Sequence, residues 1–145
     1  MKQNHTGAMQ RINYLSNEMD ALYHQSSRKL GISDSVSIVL YTVQDLGGSC
    51  PLGKIFQATG ISRQTVNSTL RKLEREGILY LEQDSGRSKR VTLTARGREF
   101  AGQTVARLLC AETAAFDDWT EEEIDTYIRL TEKHLRCFRR EIEHL

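Results

Sequence analysis

The sequence has one proline, Pro51, in 145 residues, so the chain elsewhere is free of the residue that interrupts helices most strongly. Its three cysteines, Cys50, Cys110 and Cys137, are odd in number and form no CxxC pair. That spacing excludes a secreted disulfide framework and a zinc ribbon, and leaves three reduced thiols behaving as small apolar residues. No apolar run approaches the roughly 18 residues that suggest a membrane span. The stretch Met1–Gln10 is polar and lacks the apolar centre of a signal peptide, so a cytoplasmic location is expected. Four histidines are scattered, and there is no phosphate-binding glycine loop, no HExxH and no Gly-x-Ser-x-Gly. No enzyme and no cofactor are expected. His134 and Cys137 share a helix face at metal-ligand spacing, but no further ligands are placed around them, so no metal site is expected.

What is present fits one domain with helical extensions, long enough to bury a core without disulfides or metals. A net charge of +1 conceals an uneven distribution. Ile61–Arg98 holds nine Lys/Arg against four Asp/Glu, a balance of +5; Glu112–Leu145 holds five against ten, a balance of −5. The middle of the chain suits a polyanion and the tail does not.

Ala8, Ile12, Leu15, Met19 and Leu22 recur at intervals of four, three, four and three. This is the seam of one long helix, expected to run to about Leu30 and stop at Gly31. Ser33 caps a second helix with Asp34 in its first turn and Val36, Val39, Leu40 and Val43 inward. Gly47-Gly48 ends it. Pro51 then opens a short extended piece or a new helix, and Leu52–Thr59 reads as helix with Leu52, Ile55 and Phe56 inward.

After Gly60, Ser62 is an N-cap and a helix is expected over Arg63–Glu76, ended by Gly77. Helix, short glycine turn, helix is the helix-turn-helix outline. On the second of these helices Val66, Leu70 and Leu73 share the inward face. The other side presents Gln64, Thr65, Ser68, Arg71 and Lys72, flanked by Arg63 and Asn67. Amides, hydroxyls and guanidiniums can bond base edges and phosphates, whereas a merely solvated face is usually built from Glu and Lys. Ile78–Gln83 and Lys89–Thr94 are strand-like around Asp84-Ser85-Gly86, which predicts a β-hairpin whose tip carries Arg87, Lys89 and Arg90. A basic tip beside such a helix can enter a minor groove or bracket a phosphate. Thr94 starts another helix, expected to reach about Phe116. Thr120-Glu121-Glu122-Glu123 is a capping box for the last one, whose apolar side holds Ile124, Tyr127, Ile128, Leu135, Phe138 and Ile142. The fold class is therefore mainly α with a small β-hairpin wing.

Ile61–Leu79, with Leu73-Glu74 and Gly77, then Gly86-Arg87-Ser88-Lys89, then Leu93-Thr94 and Gly97, resembles the MarR family of winged helix-turn-helix bacterial transcriptional regulators. That family ends its recognition helix with Leu-Glu-x-x-Gly and closes its wing with Leu-Thr-x-x-Gly. The resemblance extends across nearly the whole chain and implies one protomer over residues 1–145. Residues 33–94 would form the DNA-binding region, with dimerisation helices at about 8–31 and 95–145. Double-stranded DNA is the implied partner, with contacts from Ser62, Arg63, Gln64, Thr65, Asn67, Ser68, Arg71, Lys72, Arg87, Lys89 and Arg90. Many members carry Asp-x-Arg at the wing tip. Here Arg87 holds the arginine position, but Ser85 stands at the aspartate position and Asp84 comes one residue early.

The resemblance also implies a two-fold homodimer built from both chain ends, with Ile12, Leu15, Met19, Ile124, Ile128, Leu135, Phe138 and Ile142 at its interface. Repression of a pseudo-palindromic operator is the expected activity, relieved by a small phenolic or aromatic effector. Tyr14, Tyr23, His24 and Tyr41 lie on helices that could line an effector pocket, though ordinary packing explains each of them as well. Two alternatives differ in class. A thiol-based oxidation sensor would use Cys110 or Cys137, although no cysteine stands near the start of the first helix. A winged-helix module that binds proteins would present an acidic or apolar recognition face, not this polar and basic one.

Overall fold

The computed structural model describes residues 4–145; Met1, Lys2 and Gln3, the start of the polar stretch noted above, lie outside the described residues. In chain order the elements are α1 (Thr6–Leu30), α2 (Asp34–Asp45), β1 (Ser49–Pro51), α3 (Leu52–Thr59), α4 (Arg63–Arg75), β2 (Leu79–Gln83), β3 (Lys89–Leu93), α5 (Ala95–Gln103), α6 (Val105–Ala114) and α7 (Glu121–Ile142). The chain divides into two compact units, one reaching to Leu109 and one from Cys110 to Leu145.

In the first unit the helix boundaries follow the local chemistry. Gly31 takes a left-handed conformation (φ 71°) after α1, and the amides of Gly31 and Ile32 return to the carbonyls of Arg28 and Ser27. This satisfies acceptors that would otherwise end the helix unpaired. Ser33 caps α2 by accepting from the Val36 amide at 3.2 Å. The expected face of α2, Val36, Val39, Leu40 and Val43, is buried in the centre of the unit, where α1, α3, α4 and α5 all meet it. Ile55, Val66, Leu70, Leu73, Ile78, Leu79, Val91, Leu93, Ala101 and Val105 complete the core, with Cys50 among them.

Pro51 closes an extended piece, and that piece is a strand. The sheet has the order β1-β3-β2 with both pairs antiparallel, so β1 adds a third strand to the expected hairpin. Pro51 sits at the end of an edge strand, where a missing N–H costs no ladder bond. Leu79 pairs with Leu93, Leu81 with Val91 and Glu82 with Arg90. By strand alternation Leu79, Leu81, Val91, Leu93 and Cys50 face the helices, while Tyr80, Glu82, Arg90, Thr92 and Ser49 lie on the opposite face.

The helix expected from Thr94 to about Phe116 is instead two helices. Thr104 breaks it with φ −122° and ψ −93°. Gly102 and Thr104 are weak helix formers, and the Thr104 hydroxyl donates to the Phe100 carbonyl at 2.7 Å, competing with the regular ladder.

In the second unit, α7 opens with the expected capping box. Thr120 accepts from the Glu123 amide at 3.1 Å, and the Glu123 carboxylate accepts from the Thr120 amide at 2.9 Å. Phe116, Trp119 and Tyr127 stack edge to face just before and within this helix, with centroids 5.0 and 5.6 Å apart.

Candidate nucleic-acid interface

Helix α4 is held by its apolar side. Val66, Leu70 and Leu73 are buried, and Thr69 joins them with its hydroxyl turned back to the Thr65 carbonyl. Every residue of the expected reading face is exposed: Ser62, Arg63, Gln64, Thr65, Asn67, Ser68, Arg71 and Lys72. Ser62 caps the helix, accepting from the Thr65 amide at 3.1 Å, and its hydroxyl also meets that of Thr65 at 2.8 Å. The Ser68 hydroxyl donates to the Gln64 carbonyl at 2.9 Å, so toward an outside group it can only accept.

Arg63 has a platform that the sequence reading missed. Its guanidinium carbon lies 4.6 Å from the centroid of the Phe56 ring on α3. Phe56, expected only as an inward residue, is half-buried, and the face it leaves open orients the first cation of α4. Spacing could have suggested it, because Phe56 and Arg63 flank the Gly60 turn.

Helix α4 is joined to the wing by a compact knot. The Thr94 hydroxyl donates to the Gly77 carbonyl at 2.6 Å and accepts from the Gly97 amide at 2.9 Å, while the Thr94 amide donates to the Ile78 carbonyl at 3.0 Å. The residues after α4 and those before α5 are thereby tied, which fixes the hairpin against the reading helix.

On the wing the expected cations separate. Arg87 is exposed in the turn, where Gly86 has φ 61° and the Gln83 amide bonds its carbonyl. Lys89 is exposed and shares its parity with Val91 and Leu93, hence the helix-facing side of the sheet. Arg90 has the opposite parity and is half-buried. Its Nε lies 3.5 Å from the Asp84 carboxylate, and Nη1 donates to the Ser49 hydroxyl at 3.3 Å. Ser49 in turn meets the Thr92 hydroxyl at 2.9 Å. Asp84, one residue early for a pairing with Arg87, is thus engaged by Arg90. The parity of strand positions was the available signal, since Asp84 follows Tyr80 and Glu82 on the side that Arg90 shares.

The dimerisation residues stand on two helices belonging to different units. On α1, Ile12, Leu15 and Met19 are exposed, together with Met9, Leu22 and Tyr23. On α7, Ile128, Leu135, Phe138 and Ile142 are exposed and Ile124 is half-buried. Tyr14 is exposed, with its hydroxyl on Glu18 and the Arg11 guanidinium over its ring. His24 Nδ1 lies 2.6 Å from the Asp34 carboxylate, and Tyr41 packs against the core. The hydrogen bonds from His24 and Ser27 hold the Asp34 carboxyl below its usual range. Burial pushes the Cys50 thiol up, despite Arg90 nearby, so it is a poor thiolate; Cys110 and Cys137 are exposed. Among the described residues no cluster of three or more metal-ligating side chains occurs, and no helix is long and apolar enough to cross a membrane.

Residues 30–90 match the MarR family model. No curated protein matches the chain. Solved structures of MarR-family regulators share its fold. A MarR family regulator from Neisseria meningitidis is 18% identical, with 98% of this chain and 99% of that one covered at a TM-score of 0.78. The S. aureus MepR–DNA complex is 22% identical, with 88% and 93% covered at 0.68. Bordetella bronchiseptica BpsR, whose DNA binding is regulated by 6-hydroxynicotinic acid, is 23% identical, with 90% and 98% covered at 0.64.

Proposed function

We propose that this chain, which carries a MarR-family region over residues 30–90, is a sequence-specific DNA-binding transcriptional regulator. The observation that carries this reading is the α4 surface: an apolar side wholly buried and an opposite side of exposed amide, hydroxyl and guanidinium groups, next to a basic wing. Gln64 and Asn67 pair with adenine edges; Arg71 and Arg63 take guanine or phosphate. Ser62, Thr65 and Lys72 bond the phosphates that set the register, Ser68 accepts from a base amino group, and Arg87 and Lys89 extend the contact along the backbone. Arg90 lies on the opposite face of the wing, engaged by Asp84 and Ser49, and takes no phosphate of its own in this reading. The S. aureus relative in complex with DNA supports the assignment.

The working form is a homodimer. Exposed apolar rows such as Ile12, Leu15 and Met19 on α1 and Ile128, Leu135 and Phe138 on α7 are costly to leave in water, and coiled-coil-like packing against a second copy removes them. Two α4 helices then meet successive major grooves about 34–36 Å apart on a pseudo-palindromic operator. Repression in the cytoplasm, relieved by a small aromatic or phenolic effector, completes the reading. The regulation of the Bordetella protein by 6-hydroxynicotinic acid supports that class of signal.

Selection of bound sequences from random duplexes, repeated with small aromatic acids and phenols, tests the proposal. Enrichment of an inverted repeat, weakened by one of these ligands, is expected. Recovery of no enriched sequence under low salt overturns it.

A further inference from the structure

The Arg90 guanidinium reaches two elements at once. Asp84, at the root of the wing turn, lies on its Nε side, and Ser49, on β1, accepts from its Nη1. Thr92 closes the group by meeting Ser49, so the wing turn, β3 and β1 are joined across one face of the sheet. Beyond that group the hairpin continues only through Gln83–Lys89 and the turn, where the Asp84 amide donates to the Ser88 carbonyl and the Ser88 amide to the Ser85 carbonyl. A two-stranded projection of this length is pliable unless something fixes its angle to the rest of the sheet.

We infer that Arg90 is a positioning residue: braced between Asp84 and Ser49, it sets the angle of the wing and so the place where Arg87 and Lys89 meet the DNA backbone. This rests on the DNA-binding reading above. The brace differs in kind from a phosphate contact, since a guanidinium shared with a carboxylate and a hydroxyl has part of its fork already occupied. It also assigns Asp84 a task that its charge opposes. A carboxylate on a DNA-binding wing repels the duplex, so its presence needs a compensating gain.

Asp84→Asn separates the two roles by sign. Were Asp84 only a charge near DNA, its neutralisation would tighten binding. As half of a brace, its loss weakens duplex binding on the order of threefold to tenfold. Arg90→Gln weakens binding by a similar factor and leaves the salt slope unchanged, whereas Arg87→Ala lowers that slope by about one unit. The Asp84→Asn/Arg90→Gln double variant is no weaker than the worse single one, because both remove the same link. Tighter binding by Asp84→Asn, or a slope lowered by about one unit in Arg90→Gln, overturns the inference. Amide exchange at Ser88 gives a readout without DNA, and both single variants should accelerate it. Unchanged exchange there refutes the brace. Accelerated exchange in a protein that binds no duplex refutes the DNA-binding reading alone.

Discussion

Gly97 lies so close to Ile78 that a Cβ built on it would stand 1.7 Å from the Ile78 carbonyl oxygen. The same oxygen accepts from the Thr94 amide, so it cannot move aside without breaking the knot that ties the end of α4 to the start of α5. Here Leu73-Glu74-x-x-Gly77 and Leu93-Thr94-x-x-Gly97 meet as one piece of packing. Gly97→Ala is therefore expected to lower stability by about 1–3 kcal/mol or more through overpacking. Thr94→Val keeps the shape but loses the cap and should cost about 1 kcal/mol. Urea unfolding monitored by circular dichroism measures both; a Gly97→Ala protein as stable as the parent would contradict the contact.

The stacking of Arg63 on Phe56 links a half-buried ring to the reading helix. Phe56→Leu keeps most of the apolar volume and removes the π face, so duplex binding should weaken by about 0.5–1 kcal/mol. Gln64→Ala should instead relax discrimination at one base pair per half-site by about 1–3 kcal/mol. Fluorescence anisotropy on single-base operator variants distinguishes them. Equal loss on every sequence for Gln64→Ala would count against base reading.

Leu15→Asp and Ile128→Asp alter side chains that are 46% and 50% exposed, so they leave the core of the protomer intact. Each places a charge in the proposed dimer interface, where leaving it unpaired is unfavourable. Sedimentation should show the parent as a dimer and both variants shifted toward 16.6 kDa. A parent that sediments as a monomer at micromolar concentration contradicts the dimer.

His24 and Asp34 join the last turns of α1 to the first turn of α2. Because the folded Asp34 pKa is depressed, the stabilisation is complete above the unfolded carboxyl value of about 3.9 and disappears as pH falls through the lower folded value. His24→Ala removes the largest cause of that depression, so part of the contribution is lost and what remains disappears at a higher pH. Thermal melts between about pH 2 and 6 should show the parent and His24→Ala differing least at the acid end. A difference that grows below the folded pKa would have the wrong sign.

Much of the fold was legible because it is written in short-range chemistry. Ser33, Ser62, Thr94 and Thr120 act as the expected caps, and α1, α2 and α4 stop within two residues of Gly31, Gly47 and Gly77. The break at Thr104 was missed because helical periodicity outweighs two weak formers in a sequence window. β1 was ambiguous because three residues ending in proline carry no alternation; only pairing with β3 makes them a strand.

The exposed polar side of α4 was determined by sequence alone. Once Val66, Leu70 and Leu73 must be buried, a pitch of 3.6 residues places Gln64, Ser68 and Arg71 outward. Which partner each charge finds was decided by tertiary structure. Arg63 meets Phe56 across a turn, and Arg90 meets Ser49 from 41 residues away. Such pairings depend on how separate elements close on one another, and that closure follows from the packing of the whole core around α2.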